Sequence, residues 1–287
     1  MDTNRQTTPF KGTFNGAGHI IRGLYAYGSL SYQGFFGYVD GATVKNLGIE
    51  NSYIKGSNSG AIIGYGSDVE IVNCYNSGNV ATAGYSTGGI VGIVYGTSYI
   101  INCYNTGDIY GYEEAGGIVG ANCGTNLSII NCYNTGNMYN NISGYCIGGI
   151  IGAHYNSGVV KYCYNTGNIY NGYDDIGGIV GYNSSAVSYC YNTGNISDAV
   201  SQPGGICGSN YGTITYSHNS GTVNGTPANM NNLVGSGTAV GTGCGITSIS
   251  HSKTNGIIYK LNQWVAINGT GAYKNWRENA PHILFWI

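Results

Sequence analysis

The chain is poor in charge. Only 8% of its 287 residues are charged, against about 25% in an average soluble domain. No Lys or Arg stands between Lys55 and Lys161, or between Lys161 and Lys253. A protein that binds nucleic acid needs a basic face to neutralise phosphates. The long middle of this chain cannot supply such a face, so we expect no nucleic-acid partner.

Long hydrophobic runs and proline are also scarce. The longest apolar stretches have four or five residues and are bounded by Gly, Asn and Ser. A membrane helix needs about 18 apolar residues, so we expect no membrane span in this chain. Short apolar runs framed by turn residues are typical of β-strands. The 4 Pro do little to interrupt them.

The chain is instead rich in Gly (51) and Tyr (28), and both recur in an internal repeat. A Gly-Gly-Ile-Val-Gly block, with small variations, occupies residues 88–92, 116–120, 148–152, 177–181 and 204–208. It alternates with a Cys-Tyr-Asn-Thr-Gly-Asn-Ile block, which begins at Cys74, Cys103, Cys132, Cys163 and Cys190. Each period is roughly 28 residues, a length typical of stacked repeat architectures.

This repeat predicts the fold class. One unit has too few apolar residues to bury a core alone, so neighbouring units must stack. We predict an all-β parallel β-solenoid (β-helix) of coils about 4.8 Å apart, with right-handed winding preferred. Residues 1–257 form the array, and residues 258–287 form a C-terminal capping segment. Leu261, Trp264 and Val265 have the i, i+3, i+4 spacing of a short amphipathic helix within that cap.

Equivalent residues of successive coils form columns along the array. Two columns are expected to fill the core: Ile90, Ile118, Ile150, Ile179 and Ile206, and Ile71, Ile100, Ile129, Val160, Val187 and Ile214. The five repeat cysteines are expected to be buried free thiols. Ile71 and Cys74 cannot both point inward under strict strand alternation, so a bend between them is required. The repeat Asn column, which begins at Asn76, is expected to stack in an amide ladder and to tolerate left-handed turns.

The two blocks resemble the GLUG repeat of bacterial surface proteins and of the non-catalytic regions of IgA-specific metallopeptidases. The segments 9–21 and 42–49 resemble the first coils of such arrays, and Leu261–Val265 with Tyr273–Trp276 resembles their closing segment. The resemblance implies an exported module at the cell surface or in the extracellular space, as part of a longer chain. In such arrays more sequence precedes the segment that begins at Pro9, so we expect an excerpt.

A column of aromatic residues is the first candidate binding site. Tyrosine faces stack on sugars while amides bond to hydroxyls, so the column beside the Asn residues indicates a carbohydrate site. Its members are Tyr75, Tyr104, Tyr133, Tyr164 and Tyr191, with Asn105, Asn134, Asn165 and Asn192 beside them. Alternatively, the tyrosines stack on each other and seal the edge of each coil, which contributes about 0.5–1.5 kcal/mol per pair.

Catalytic motifs are not found. The His-Glu-x-x-His zinc motif is missing, so peptidase activity does not carry over from the metallopeptidases. The carboxylates are sparse apart from two pairs, Glu113-Glu114 and Asp174-Asp175. Both precede a Gly-Gly block, so they should share a corner two coils apart. They are candidate calcium ligands, or simply solvated loop charges.

These patterns favour a non-enzymatic surface or secreted module for adhesion, spacing or binding. Its expected partners are carbohydrate or a host or cell-surface protein, and no cofactor other than calcium is considered. Two alternatives stay open. One is a β-helix enzyme that processes polysaccharides, which would need a cluster of carboxylates facing one groove. The other is an accessory, non-catalytic region of a surface metallopeptidase.

Overall fold

The computed structural model describes residues 8–28, 31–82, 84–238 and 240–246, and two further strands at 276–279 and 283–286. The chain divides into two compact units, Met1–Ile246 and Thr247–Ile287. In the first unit, short β-runs follow one another around each coil, and Gly, Asn and Ser form the turns between them. The described residues contain only one helical element, the single 3₁₀ turn Met230–Asn232.

Each coil of the first unit contributes strands to four parallel sheets, which we call sheets A to D. Sheet A has 15 strands: Phe10–Asn15, Phe36–Lys45, Ile63–Ser67, Glu70–Val72, Val91–Tyr95, Thr97–Ile101, Val119–Asn122, Asn126–Ile130, Ile151–His154, Ser157–Lys161, Val180–Asn183, Ala186–Ser188, Cys207–Asn210, Thr213–Thr215 and Val234–Gly237. A full coil adds two strands to sheet A, one before and one after a tight turn.

The other three sheets have one strand per coil. Sheet B contains Ile20–Arg22, Gly48–Glu50, Tyr75–Asn76, Tyr104–Asn105, Tyr133–Asn134, Tyr164–Asn165, Tyr191–Asn192 and His218–Asn219. Sheet C contains Tyr25–Tyr27, Tyr53–Gly56, Asn79–Thr82, Ile109–Gly111, Met138–Asn140, Ile169–Tyr170 and Ile196–Ser197. Sheet D contains Tyr32–Gln33, Asn58–Gly60, Thr87–Gly88, Ala115–Gly116, Tyr145–Gly148 and Asp174–Gly177.

The register of these sheets confirms the predicted β-solenoid. Repeat-equivalent residues are paired in parallel between coils, as in Ile100 with Ile129 and Tyr104 with Tyr133. The eight strands of sheet B correspond to eight successive coils. Because each inner strand pairs with the coil before and the coil after it, the backbone hydrogen bonds run from coil to coil.

One continuous apolar core fills the interior of the first unit. The Ile90–Ile206 column and the column that begins at Ile71 are both buried there, as predicted. The side chains of successive coils are in contact, so each coil covers the apolar face of its neighbour. Burying one such Ile contributes about 1.5–3 kcal/mol relative to leaving it in water.

A left-handed residue provides the bend that the repeat requires between Ile71 and Cys74. Asn73 has a φ of 53°, and Asn46, Asn102 and Asn131 adopt the same conformation in their own coils. The turn places Ile71 and Cys74 in the same core. Left-handed geometry was expected at the Asn76 column instead. That placement was wrong, because Asn76 lies in a strand and the turn is made three residues earlier.

The second unit contains an antiparallel hairpin of Trp276–Asn279 and Ile283–Trp286, with Trp276 paired to Trp286. The predicted amphipathic helix at Leu261–Val265 lies outside the described residues. The capping role of residues 258–287 therefore remains a prediction. In the described part of the chain, no helix has the length and apolar character needed to cross a membrane.

Candidate functional site

The predicted tyrosine column is a continuous stack on sheet B. The rings of Tyr75, Tyr104, Tyr133 and Tyr164 are nearly parallel, with neighbouring centroids 4.8–4.9 Å apart and interplanar angles of 1–6°. Tyr191 continues the column in register. The rings are partly or fully buried, and Tyr164 is only 2% exposed. Each inner ring has its faces against its neighbours, so little ring face is left for a sugar.

The asparagines beside this stack form a buried ladder. We use the name interior ladder for Asn76, Asn105, Asn134, Asn165, Asn192 and Asn219. The Nδ2 of each of the first five donates to the Oδ1 of the next ladder residue, at 2.7–2.9 Å. Each Nδ2 also donates to the carbonyl of the Gly two residues later. The predicted amide ladder is therefore present.

This burial changes what the Asn column can do. All six side chains are at most 1% exposed, and both amide protons of the inner members are used within the fold. Asn105, Asn134, Asn165 and Asn192 therefore offer no group to a ligand at the surface. They were predicted to bind one because they follow Tyr in sequence. In the strand, however, successive side chains point to opposite faces.

A second set of tyrosines is more exposed and was missed from the sequence. Tyr110, Tyr139 and Tyr170 lie in register on the outer face of sheet C, and we call them the outer tyrosine stack. Their rings are 5.2–5.3 Å apart at angles of 10–19°. Tyr110 is 41% exposed. The signal was present in the sequence: each of these residues directly follows a buried Ile or Met, so alternation turns it outward.

The outward residues of successive strands form rungs across sheets B and C. In one coil they are Tyr133, Thr135, Asn137 and Tyr139, while the side chains between them point inward. Asn137 also ties its own coil to the next, because its Oδ1 accepts a hydrogen bond from the backbone N–H of Asn168 at 3.0 Å. The surface of this face thus carries hydroxyls, amides and aromatic edges in a regular array.

The two acidic pairs lie at the corner before sheet A, in the predicted arrangement. Strand register places Glu114 and Asp175 in one column two coils apart, with Cys146 between them. Glu114 accepts hydrogen bonds from Ser86 Oγ at 2.5 Å and from Tyr155 OH at 2.8 Å.

Asp175 is bound in a similar way. It accepts hydrogen bonds from Ser209 Oγ and, at 3.6 Å, from Cys146 Sγ. Burial raises the pKa of Asp175 despite these two donors. The remaining two carboxylates are also engaged: Glu113 accepts a hydrogen bond from Tyr145 OH at 2.9 Å, and Asp174 accepts one from the N–H of Asp175.

These contacts bear on the calcium hypothesis. Calcium takes six to eight oxygen ligands. Among the described residues, no three His, Cys, Asp or Glu side chains are grouped as a metal site requires. The acidic pairs instead hold the corner together through hydroxyl and thiol donors. Calcium binding by Glu113, Glu114, Asp174 or Asp175 stays a prediction. In the described structure these four residues do not form a ready ligand set.

The five repeat cysteines lie in the core, as predicted. Their Sγ atoms donate to backbone carbonyls, such as Cys132 Sγ to Ile130 O at 3.3 Å. All nine cysteines of the described chain are free, and Cys123 and Cys244 are partly exposed. Burial raises the pKa of Cys132 and Cys190 well above its usual range. Thiols in this state are poor nucleophiles, because the thiolate is the reactive form.

A histidine interrupts a second buried ladder. His154 stands in register between Asn122 and Asn183 on sheet A, and Asn183 Nδ2 donates to Asn210 Oδ1 at 2.8 Å. His154 is fully buried, and neither ring nitrogen has a hydrogen-bond partner. Asn122 Nδ2 is unpartnered as well. Burial lowers the pKa of His154 to about 4, so the ring is neutral at pH 7.

Comparison with known proteins identifies the repeat. Residues 143–170 and 172–197 match the GLUG motif. No curated protein matches the chain. Among solved structures, the chain is similar to a candidate immunoglobulin A1 protease from Bacteroides ovatus, with a TM-score of 0.57 and 20% identity. The similarity covers 97% of this chain and 78% of that protein. At this identity the likeness shows the fold alone.

Proposed function

We propose that this GLUG-repeat protein is a non-enzymatic module of an exported cell-surface protein, which spaces and presents a binding face. The observation that carries the proposal is the division of the repeated polar side chains between the interior and the outer face of the coils. In each inner coil, the Asn of the interior ladder holds neighbouring coils together, while the residues of the outer rungs point outward, as Thr135, Asn137 and Tyr139 do in one coil. A chain organised in this way holds a surface pattern in a fixed register.

The interior ladder supports a spacer role. A partner removed from a buried hydrogen bond leaves a group whose desolvation costs about 1–3 kcal/mol. Each inner ladder residue bonds to the coil before and the coil after it. Relative rotation of two coils would break these bonds together with the sheet hydrogen bonds. The array therefore resists bending and keeps its outer rungs aligned.

The carboxylates support a non-enzymatic role over the polysaccharide-processing alternative. Glycoside hydrolysis requires two carboxyl groups that flank one bond, with one acting as an acid and the other as a nucleophile or base. Here Glu114 and Asp175 are separated by a coil that carries Cys146, and each is bound to structural hydroxyl donors. Neither carboxylate is free to approach a substrate without losing those bonds.

A second candidate role is an accessory region of a surface peptidase. The similarity to the candidate immunoglobulin A1 protease favours it, because that protein carries the same fold over 78% of its length. Both roles place the module outside the cell and assign chemistry to another part of the molecule. They differ in whether a catalytic domain shares the polypeptide.

Two measurements test the proposal. Antibody raised against residues 8–246 should label intact cells of the source organism, and protease added outside the cells should remove the label. The purified chain should release no products from a panel of polysaccharides or from immunoglobulin A. Labelling only after cell lysis contradicts surface export. Turnover that disappears in Glu114→Gln or Asp174→Asn contradicts the non-enzymatic role.

A further inference from the structure

The outer tyrosine stack ends abruptly at one coil. Strand register places Ser197 next to Tyr170 in the same column of sheet C. The bridge between Ile196 and Val223 places Asn224 after Ser197 in that column. One face of the Tyr170 ring lies against Tyr139. The other face has no aromatic neighbour in the column, because Ser and Asn follow it.

A recess lies where the stack ends. It has a volume of about 490 Å³ and is lined by Ser197, Asp198, Asn224 and Gly225. The Asn224 side chain in its lining is held in place by two hydrogen bonds to Ala199. Its Oδ1 accepts from the Ala199 N–H at 3.1 Å, and its Nδ2 donates to the Ala199 carbonyl at 2.7 Å. Gly225 adds no side chain, so the recess stays open at that point. The sequence thus replaces two tyrosine layers with small residues, and the recess begins at Ser197, the residue that pairs in register with Tyr170 at the end of the stack.

Two polar side chains of this recess are available to bond a ligand. The hydroxyl of Ser197 and the carboxylate of Asp198 make no hydrogen bond within the part of the chain that the structure describes. Asp198 is exposed and has a left-handed backbone, with a φ of 61°. Together they offer a carboxylate acceptor and a hydroxyl that both donates and accepts. A ligand rich in hydroxyl donors suits this set.

The charge around the recess limits the class of ligand further. Asp198 repels anions, and no Lys or Arg occurs between Lys161 and Lys253 in the sequence. An anionic sugar or phosphate would find no cation in these coils to hold it. Tyr170 is partly buried, and its face without an aromatic neighbour lies next to hydroxyl-binding groups; this pairing favours a flat ring with C–H bonds on one face and hydroxyls at its edge. That description fits a neutral pyranose.

We infer that this recess is a binding subsite for a neutral glycan, with one pyranose ring stacked on Tyr170 and its hydroxyls bonded to Ser197 and Asp198. The inference rests on the proposed function and locates its binding face on sheet C. The chain of such a glycan would run along the outer rungs towards Tyr139 and Tyr110, parallel to the axis of the first unit.

Affinity electrophoresis tests this subsite. The full chain is run in native gels that contain laminarin, yeast mannan or xyloglucan, with polygalacturonate as the acidic comparison. At least one neutral polysaccharide should retard the chain. Tyr170→Ala and Asp198→Ala should each weaken the apparent affinity by about tenfold. Tyr211→Ala, an exposed tyrosine on the turn after sheet A strand Cys207–Asn210, should bind like the parent.

Ser197→Tyr separates lost binding from lost folding. It extends the outer tyrosine stack into the recess, so it should abolish retardation while leaving the thermal unfolding midpoint unchanged or higher. Absence of retardation in all three neutral gels, retardation by polygalacturonate alone, or full binding by Ser197→Tyr each overturns the subsite. None of these results changes the outcome of the cell-labelling or turnover assays, so the proposed function is judged separately.

Discussion

Gly117 packs directly on the side chain of Asn134. A Cβ added at Gly117 would lie 2.5 Å from Asn134 Cγ, and the equivalent glycine of other coils meets its own ladder residue in the same way. This contact links the two sequence blocks, since the second Gly of Gly-Gly-Ile-Val-Gly covers the Asn of Cys-Tyr-Asn. The repeat keeps Gly there because the backbone carbonyl of Gly149, which would lie 2.2 Å from the added Cβ, and the interior ladder together occupy the space that a methyl group would need.

Gly117→Ala should therefore destabilise the fold. Overpacking of a buried site costs about 1–3 kcal/mol, and we expect a loss of that size in the free energy of unfolding measured with urea. Gly84→Ala is the matched control, because its nearest neighbour would lie at 3.4 Å, an ordinary contact. Equal unfolding midpoints for the two variants would show that the coil tolerates the methyl group and that the contact is not tight.

Asn134→Ala should break the interior ladder at its centre. The change leaves Asn105 Nδ2 without its acceptor and Asn165 Oδ1 without its donor, so about 3 kcal/mol of stability should be lost. Asn137→Ala, on the outer face of the same coil, removes one partly buried hydrogen bond and should cost about 1 kcal/mol. Denaturant unfolding of both variants measures the difference. A ladder that adds no stability predicts equal losses instead.

His154 should make the stability depend on pH. The folded pKa of about 4 lies below the ordinary value of 6.5, so the unfolded chain takes up the proton first as pH falls. Stability is therefore full above about pH 6.5, falls between pH 6.5 and 4, and loses about 3 kcal/mol in total from this residue. Urea unfolding from pH 7.5 to 4 measures this loss.

His154→Asn should remove that contribution. An Asn at this position restores an acceptor for Asn122 and a donor for Asn183, and it does not titrate. The variant should be more stable than the parent at pH 5, with a flatter profile between pH 6.5 and 4. His19→Asn alters an exposed histidine and is the control. If the two variants show the same profile, His154 is not the titrating group.

The repeat cysteines should be protected from thiol reagents. In native protein only Cys123 and Cys244 are partly exposed, so about two of the nine thiols should react rapidly. All nine should react in denaturant. Reagents need the thiolate, and burial blocks their access to the column and raises the pKa of Cys132 and Cys190. Disulfide-linked peptides from the column, detected by mass spectrometry, would contradict this expectation.

Periodicity in the sequence was enough to predict the coil, the core columns and the buried thiols. The reason is physical: identical residues at a fixed spacing stack when each unit lacks a core of its own. The orientation of each column was harder to infer. The phase of Tyr75 and Asn76 depends on the left-handed turn at Asn73, and no rule of strand alternation carries through such a turn.

The recess at Ser197 was not predicted for a different reason. It arises where the pattern fails, as Ser replaces Tyr in one column, and a search for repeats treats such a position as noise. The interruption by His154 is of the same kind. In a repeat array the departures from the consensus carry the individual chemistry, and their meaning depends on what the neighbouring coils place beside them.

The coil-to-coil direction of the hydrogen bonds also determines how the first unit would respond to force. Tension applied along the stacking direction loads the sheet bonds and the interior ladder in the same sense, so the outermost coil is expected to detach before its neighbours. A detached coil of 29 residues, such as Cys74 to Cys103, would release about 90–100 Å of chain. When a tethered molecule is stretched, its length should therefore increase in a series of steps of that size. The module would then act as a tether that lengthens one coil at a time.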